Sequence, residues 1–200
     1  MSEAAHKDYE GAKFGMWLFL FTELLLFGGL FLLYAVYLQR YPQQFVTAGG
    51  ELDVRFGAAN TLVLLTSSLF VAMSITALRL GRIKTALSLL GATVLSALLF
   101  LVNKFFEWSA KIHHGLYPGG EELLGRDVGE QTFFNLYYLT TGLHGLHVLI
   151  GAVLLAVVMV MIRSGRVHKE DWVILENGGL YWHLVDLIWI FLFPLYYLVL

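Results

Sequence analysis

The sequence predicts an all-α fold, a polytopic membrane protein built as a five-transmembrane-helix bundle. Three observations predict it. Of 200 residues, 58% are hydrophobic and 14% charged, where a soluble domain carries about 25% charge. Five stretches are apolar over the ~20 residues needed to cross a ~30 Å hydrocarbon core. Ionisable side chains nevertheless recur inside them, at Glu23, Lys104, Glu107, His144, His147, His183 and Asp186. Each costs roughly 2.5–3.5 kcal/mol on insertion scales, so it faces protein, water or a partner.

The spans are expected at about 14–38, 57–78, 85–108, 131–162 and 178–200, within one domain covering 1–200. The first carries Trp17 near one interface and Tyr37 and Tyr41 near the other, as an aromatic belt requires. Pro42 ends it, and the loop to Gly49-Gly50 reads as turn-like. The second opens on Asn60-Thr61 and runs through Thr66, Ser67 and Ser68, small hydroxyl residues that let helix backbones approach. A short link makes it an antiparallel hairpin with the third span, which ends at Glu107-Trp108 and leads into Lys111, His113 and His114. The longest outer loop holds Pro118-Gly119-Gly120. The fourth span carries Gly142, Gly145 and Gly151 as a packing face, and the fifth sets Tyr181, Trp182, His183 and Asp186 in an apolar run. Trp182 and Trp189 are seven apart and share a face, a stripe for packing or lipid contact.

The net charge of −2 gives no basic surface for nucleic acid. The absence of cysteine excludes disulfides, iron–sulfur clusters, thiolate metal sites and covalent haem c. The first apolar run is too long for a cleavable signal peptide and has no small-residue cleavage site behind it. No repeat suggests the inverted halves of a transporter. Lys7, Lys13, Arg79, Arg82, Lys84, Arg163, Arg166 and Lys169 fall on one side, against Arg40, Arg55, Lys111 and Arg126 on the other. The expected topology is therefore an inner N-terminus and an outer C-terminus.

Glu23 lies about 15 Å into its helix, close to the midplane. It reads either as a proton-accepting site or anchor for a partner, or as a protonated acid donating a hydrogen bond between helices. His144 with His147, and His183 with Asp186, are each three apart and share a helix face. With Glu23 or Glu107 they could in principle form a carboxylate–histidine metal site or a bis-histidine haem site. Di-iron bundles show Glu-x-x-His pairs, whereas here the acid follows His183. No complete ligand set is legible, so the expectation is interhelical hydrogen bonding that gives each imidazole and carboxylate a partner. Lys104 and Glu107 should neutralise each other locally, with the lysine stem snorkelling towards the headgroups. His6, His113, His114 and His168 are expected in solvent. No residue is expected to be catalytic, to bind a cofactor or to ligate a metal.

Several of these stretches together resemble subunit III of the haem–copper respiratory oxidases, in its short five-helix bacterial form. Gly15-Met16 followed by Glu23 resembles the helix in which that family buries an acid. Asn60-Thr61, Leu64-Leu65 and Ser67-Ser68 are similar to its NT-x-x-LL-x-S segment. Glu107-Trp108 stands where the family has a Glu-aromatic pair, and TTGLHGLHVLIGAVLL and YWHLVDLIWIFLF are close to two further stretches. The resemblance covers all five spans in order.

It implies an accessory, non-redox subunit of an oxidase that reduces O2 to water and pumps protons. Haems and copper would belong to partner subunits I and II, and this chain would stabilise subunit I, support proton uptake and bind structural phospholipid. The electron donor, cytochrome c or quinol, is set by other subunits. The implied location is a bacterial inner membrane. Carried over, Glu23 is the buried acid, and Asn60, Glu107, His144, His147, His183 and Asp186 are motif positions of mainly structural role. The sequence departs from the seven-helix form in lacking two N-terminal helices, so the family's lipid cleft would be incomplete here or completed by another subunit. Its ending FLFPLYYLVL, with Pro194, resembles the accessory subunit of nitric oxide reductase. That subunit is the alternative reading. A free-standing bis-histidine membrane haem protein is the alternative from another class.

Overall fold

The computed structural model describes residues 8–198. His6, Lys7 and the last two residues of the fifth expected span lie outside them. Seven helices are present among the described residues: α1 Tyr9–Arg40, α2 Pro42–Gly49, α3 Val54–Arg79, α4 Ile83–His113, α5 Glu121–Leu124, α6 Val128–Arg163 and α7 Val173–Tyr197. The five long ones are apolar and long enough to cross a membrane, and each starts before its expected span.

Local chemistry sets the ends. Asp8 caps α1 by accepting from the Gly11 amide at 2.7 Å, and Asp53 caps α3 by accepting from Arg55 at 2.8 Å. At Gly81, φ is 73°, a left-handed conformation that closes α3. The Arg82 amide reaches back to Ala77 O at 2.8 Å and the Gly81 amide to Leu78 O at 2.9 Å, so two orphan carbonyls are satisfied and the chain reverses at once into α4. The segment from Pro42 to Gly49, expected as a turn, is a helix. Proline at the first helical position lacks only an amide that would have no partner there, and its fixed φ suits the helix. Pro42 thus begins α2 as well as ending α1.

Helices α3, α4, α6 and α7 form a ring in which α3 packs on α4, α4 on α6, α6 on α7 and α7 on α3. Helix α1 lies outside it, against α6 and α7, and offers one buried stripe, Leu20, Phe27 and Tyr34, at heptad spacing. Much of the rest of α1 is exposed apolar surface, including Phe14, Trp17, Phe21 and Leu25, as expected for a lipid or protein face. Helix α2 covers the end of α6.

Lipid tails are as apolar as leucine, so these helices associate through close packing and interhelical hydrogen bonds. A Cβ added at Gly151 would stand 2.9 Å from the Trp182 ring, and one at Gly57 would stand 2.6 Å from Phe193 and 3.0 Å from Tyr197. Trp182 and Trp189 are fully buried, with indole N–H groups donating to Ser67 Oγ and Thr61 Oγ1, each at 3.0 Å. The tryptophan stripe is therefore a packing stripe. Edge-to-face pairs run from Tyr34 to Phe45 and Tyr196, and on to Phe133 and Tyr137, which ties α1, α2, α6 and α7 together at one end.

Candidate functional site

Two sets of buried polar groups stand out, one towards the end of the bundle that carries α2 and α5, the other between α1 and α6. In the first, α4 brings Lys104 and Glu107 to the same face one turn apart. Lys104 Nζ donates to Glu107 Oε2, Tyr137 OH and Tyr197 OH, each at 2.9 Å. The two tyrosine hydroxyls donate in turn to Glu107 Oε1, at 2.8 Å from Tyr137 and 2.6 Å from Tyr197. All three ammonium protons and both carboxylate oxygens are satisfied, which is the condition for keeping a charge pair out of water. The ammonium also lies 4.9 Å from the Tyr137 ring and 5.6 Å from those of Trp189 and Tyr197.

The expected local pairing is present, but the lysine does not snorkel: it is buried, and its head points inwards. Tyr137 and Tyr197 supply at that depth what the headgroup region would have supplied. The signal available in the sequence was the position of these tyrosines, since Tyr137 lies seven residues before His144 on α6 and so shares its face.

A cavity of about 750 Å³ lies beside this cluster, lined among others by Glu107, Lys111, Glu51, Asp53 and Arg126. Lys111 donates to Glu51 O at 3.1 Å. Arg126, in the loop before α6, is paired with Glu51 and lies 3.2 Å from Glu130 and 3.7 Å from Glu122. The hydrogen bond to Glu51 raises its already high pKa further, so it stays charged.

In the second set, His147 Nε2 is 3.0 Å from Glu23 Oε2 and Nδ1 is 2.8 Å from Leu143 O. A carbonyl only accepts, so Nδ1 carries a proton. The Nε2–Glu23 contact is then either a neutral imidazole accepting from a carboxylic acid or an imidazolium donating to a carboxylate. One proton is shared across the α1–α6 interface in both cases. Glu23 is thus paired and not isolated. Phe27 covers the imidazole edge-on, with ring centroids 5.4 Å apart.

The remaining predicted residues do not converge. His183 Nδ1 bonds Ser68 Oγ at 2.6 Å, and Asn60 Oδ1 accepts from Asn103 Nδ2 at 2.9 Å. His144 is fully buried between Phe100 and Trp189, and neither of its nitrogens has a hydrogen-bond partner. Neither Asp186 oxygen holds a hydrogen bond of normal geometry. The expectation that each imidazole and carboxylate would find a partner is therefore corrected for His144 and Asp186. The three imidazoles face α1, α3 and the ring interior, so they share no axial-ligand position. Among the described residues no three His, Asp or Glu side chains come together as a metal site. His113, His114 and His168 are exposed.

The family profile for cytochrome c oxidase subunit III matches residues 3–199. The chain belongs to the cytochrome c oxidase subunit III family. A cytochrome c oxidase subunit 3 from Thermostichus vulcanus is 30% identical over 97% of this chain and 90% of its own length. A cytochrome bo(3) ubiquinol oxidase subunit 3 from Pseudomonas aeruginosa is 27% identical over 97% of this chain and 88% of its own. A haem–copper oxidase subunit I+III from Aeropyrum pernix is 31% identical over 92% of this chain, which spans 22% of that longer protein. These relatives do not favour the nitric oxide reductase and free-standing haem alternatives. The stretches TTGLHGLHVLIGAVLL and YWHLVDLIWIFLF lie on α6 and α7, which pack on each other in the ring.

Proposed function

We propose that the chain acts as the accessory, non-redox subunit of an oxidase that reduces O2 to water and pumps protons, bound beside subunits I and II of that enzyme. The observation that carries this reading is the family match over residues 3–199. A relative in which the names of subunits I and III are joined in one polypeptide supports direct packing on subunit I. The exposed apolar face of α1, outside the ring, is the surface we assign to that contact or to bound phospholipid. Haem and copper then reside in the partners, in keeping with a chain whose imidazoles face different neighbours.

Glu23 and His147 hold a shared proton at the α1–α6 interface, next to the proposed contact face. We assign to this pair the subunit's support of proton uptake and of active-site durability. The other motif positions, Asn60, Glu107, His144, His183 and Asp186, have a mainly structural role. The chain sits in a bacterial inner membrane, with α1 starting on the inner side and α7 ending outside, as the distribution of Lys and Arg requires.

The test is a reduced-minus-oxidised visible spectrum of the complex that co-purifies with the tagged chain in mild detergent. Bands of a-type haem are expected for a cytochrome c oxidase, and o-type with b-type bands for a quinol oxidase. A preparation that retains partner subunits yet shows no haem would overturn the reading.

A further inference from the structure

One residue belongs both to the buried cluster and to the cavity. Glu107 accepts from Lys104, Tyr137 and Tyr197 on its protein side, and it lines the 750 Å³ cavity that opens at the end of the bundle carrying α2 and α5. Polar groups share its lining: Lys111, itself buried and one turn further along α4, with Glu51, Asp53 and Arg126, beside the apolar Phe56 and Phe106. A cavity of this size, lined by charged groups, holds water. Phe105, two residues before Glu107 on α4, is an exposed apolar side chain outside the cavity lining, so the level of Glu107 is hydrocarbon outside the bundle and polar within it.

We infer that the Lys104–Glu107–Tyr137–Tyr197 cluster is a proton-exchanging site, reached by water from the outer compartment through this cavity. The assignment of that compartment as outer rests on the proposed topology. One proton arriving from the cavity is taken up on a Glu107 oxygen, which changes the cluster from net zero charge to +1. The protonated oxygen turns from acceptor to donor, so one tyrosine hydroxyl that donated to Glu107 must rotate to another acceptor, and the other tyrosine's oxygen lies 3.3 Å away. No redox partner is needed.

Charged groups of both signs surround the site. Lys104 and Lys111 on α4 and Arg126 in the loop before α6 face this site with positive charge, and Glu51, Asp53 and Glu122 with negative charge. Tyr137 and Tyr138 from α6 and Tyr197 from α7 enclose it, and His114 stands at the rim. Glu23, by contrast, pairs across the α1–α6 interface.

The chain has no cysteine, so single cysteines in the assembled oxidase report water access cleanly. Membrane-impermeant charged thiol reagents should label Ala110→Cys on the cavity wall and Glu107→Cys on its floor. Phe105→Cys should react on the order of tenfold more slowly, since an apolar setting suppresses the thiolate. Labelling of Ala110→Cys no faster than Phe105→Cys overturns the water path, whether or not Glu107→Cys assembles. Leu124→Cys on α5 reports which compartment faces this end. If Leu124→Cys and Ala110→Cys react together but from the cytoplasmic side, the topology fails and the vestibule stands.

Proton uptake itself is read by infrared difference spectra across a pH step. A carboxyl band should be present in the native complex and in Glu107→Asp, and lost in Glu107→Gln. Identical spectra for the native complex and Glu107→Gln overturn the exchanging site.

Discussion

Lys104 and Glu107 form a 2.9 Å ion pair inside an apolar helix, and the same two tyrosine hydroxyls bond to both members. The pair is closed on itself, so its value lies in completeness more than in attraction. Removing one member leaves the other buried and uncompensated, which typically costs about 3–5 kcal/mol. Lys104→Met should lower the thermal midpoint of the subunit sharply. Adding Glu107→Leu should restore most of the loss, because the tyrosine hydroxyls, 3.3 Å apart, can still bond each other. A double variant as unstable as Lys104→Met alone would contradict this account.

The Glu23–His147 contact gives a different expectation. Glutamine at position 23 can still donate to the imidazole, but it cannot release a proton. Glu23→Gln should therefore assemble with its partner subunits and show either slower turnover or faster inactivation during turnover. Glu23→Leu, which removes the hydrogen bond as well, should in addition loosen α1, read as faster proteolysis in its connection to α2. Unchanged turnover and inactivation in Glu23→Gln would remove Glu23 from any proton-linked role.

Two glycines on α6 should behave oppositely. An alanine methyl at Gly151 would meet the Trp182 ring at 2.9 Å, in a ring that is buried and bonded to Ser67. Overpacking of this kind costs about 1–3 kcal/mol. At Gly145 the nearest atom, on Leu101, lies 3.9 Å away, so Gly145→Ala should be neutral or should stabilise by up to about 1 kcal/mol through helix propensity. Melting of the two variants in one detergent checks the contrast; equal losses would refute it.

A fourth expectation concerns the indole of Trp189, whose N–H donates to Thr61 Oγ1 at 3.0 Å. Trp189→Phe keeps the aromatic contact with Phe100 but leaves that hydroxyl without its donor, though Thr61 still donates to Gly57 O at 2.8 Å. The loss should be about 1 kcal/mol. His144, packed on the same indole, should gain solvent exchange, visible as a shifted imidazole resonance.

The sequence carried the helices because each long apolar run exceeds what a membrane requires, and the α3–α4 hairpin because its link is so short. It carried the Lys104–Glu107 pairing because residues three apart on a helix must meet. Contacts between distant parts of the chain were not legible. Glu23 and His147 are 124 residues apart, and spacing along one helix says nothing of which neighbour it faces. For the same reason Tyr197 could not be read as a partner of Lys104, and His144 could not be read as an imidazole left without one. Pro42 was legible only in half, as a stop and not as a start.

Helix α7 is made last of the seven, yet it touches α1, α3 and α6 and supplies Tyr197, Trp182, Trp189 and His183 to partners on α3 and α4. During synthesis, the earlier helices must therefore wait in the bilayer with Glu107, Lys104 and the serines of α3 unsealed. The ring closes only when α7 has entered the bilayer. A chain cut short before Val173 thus presents membrane proteases with exposed polar groups instead of a smaller stable bundle.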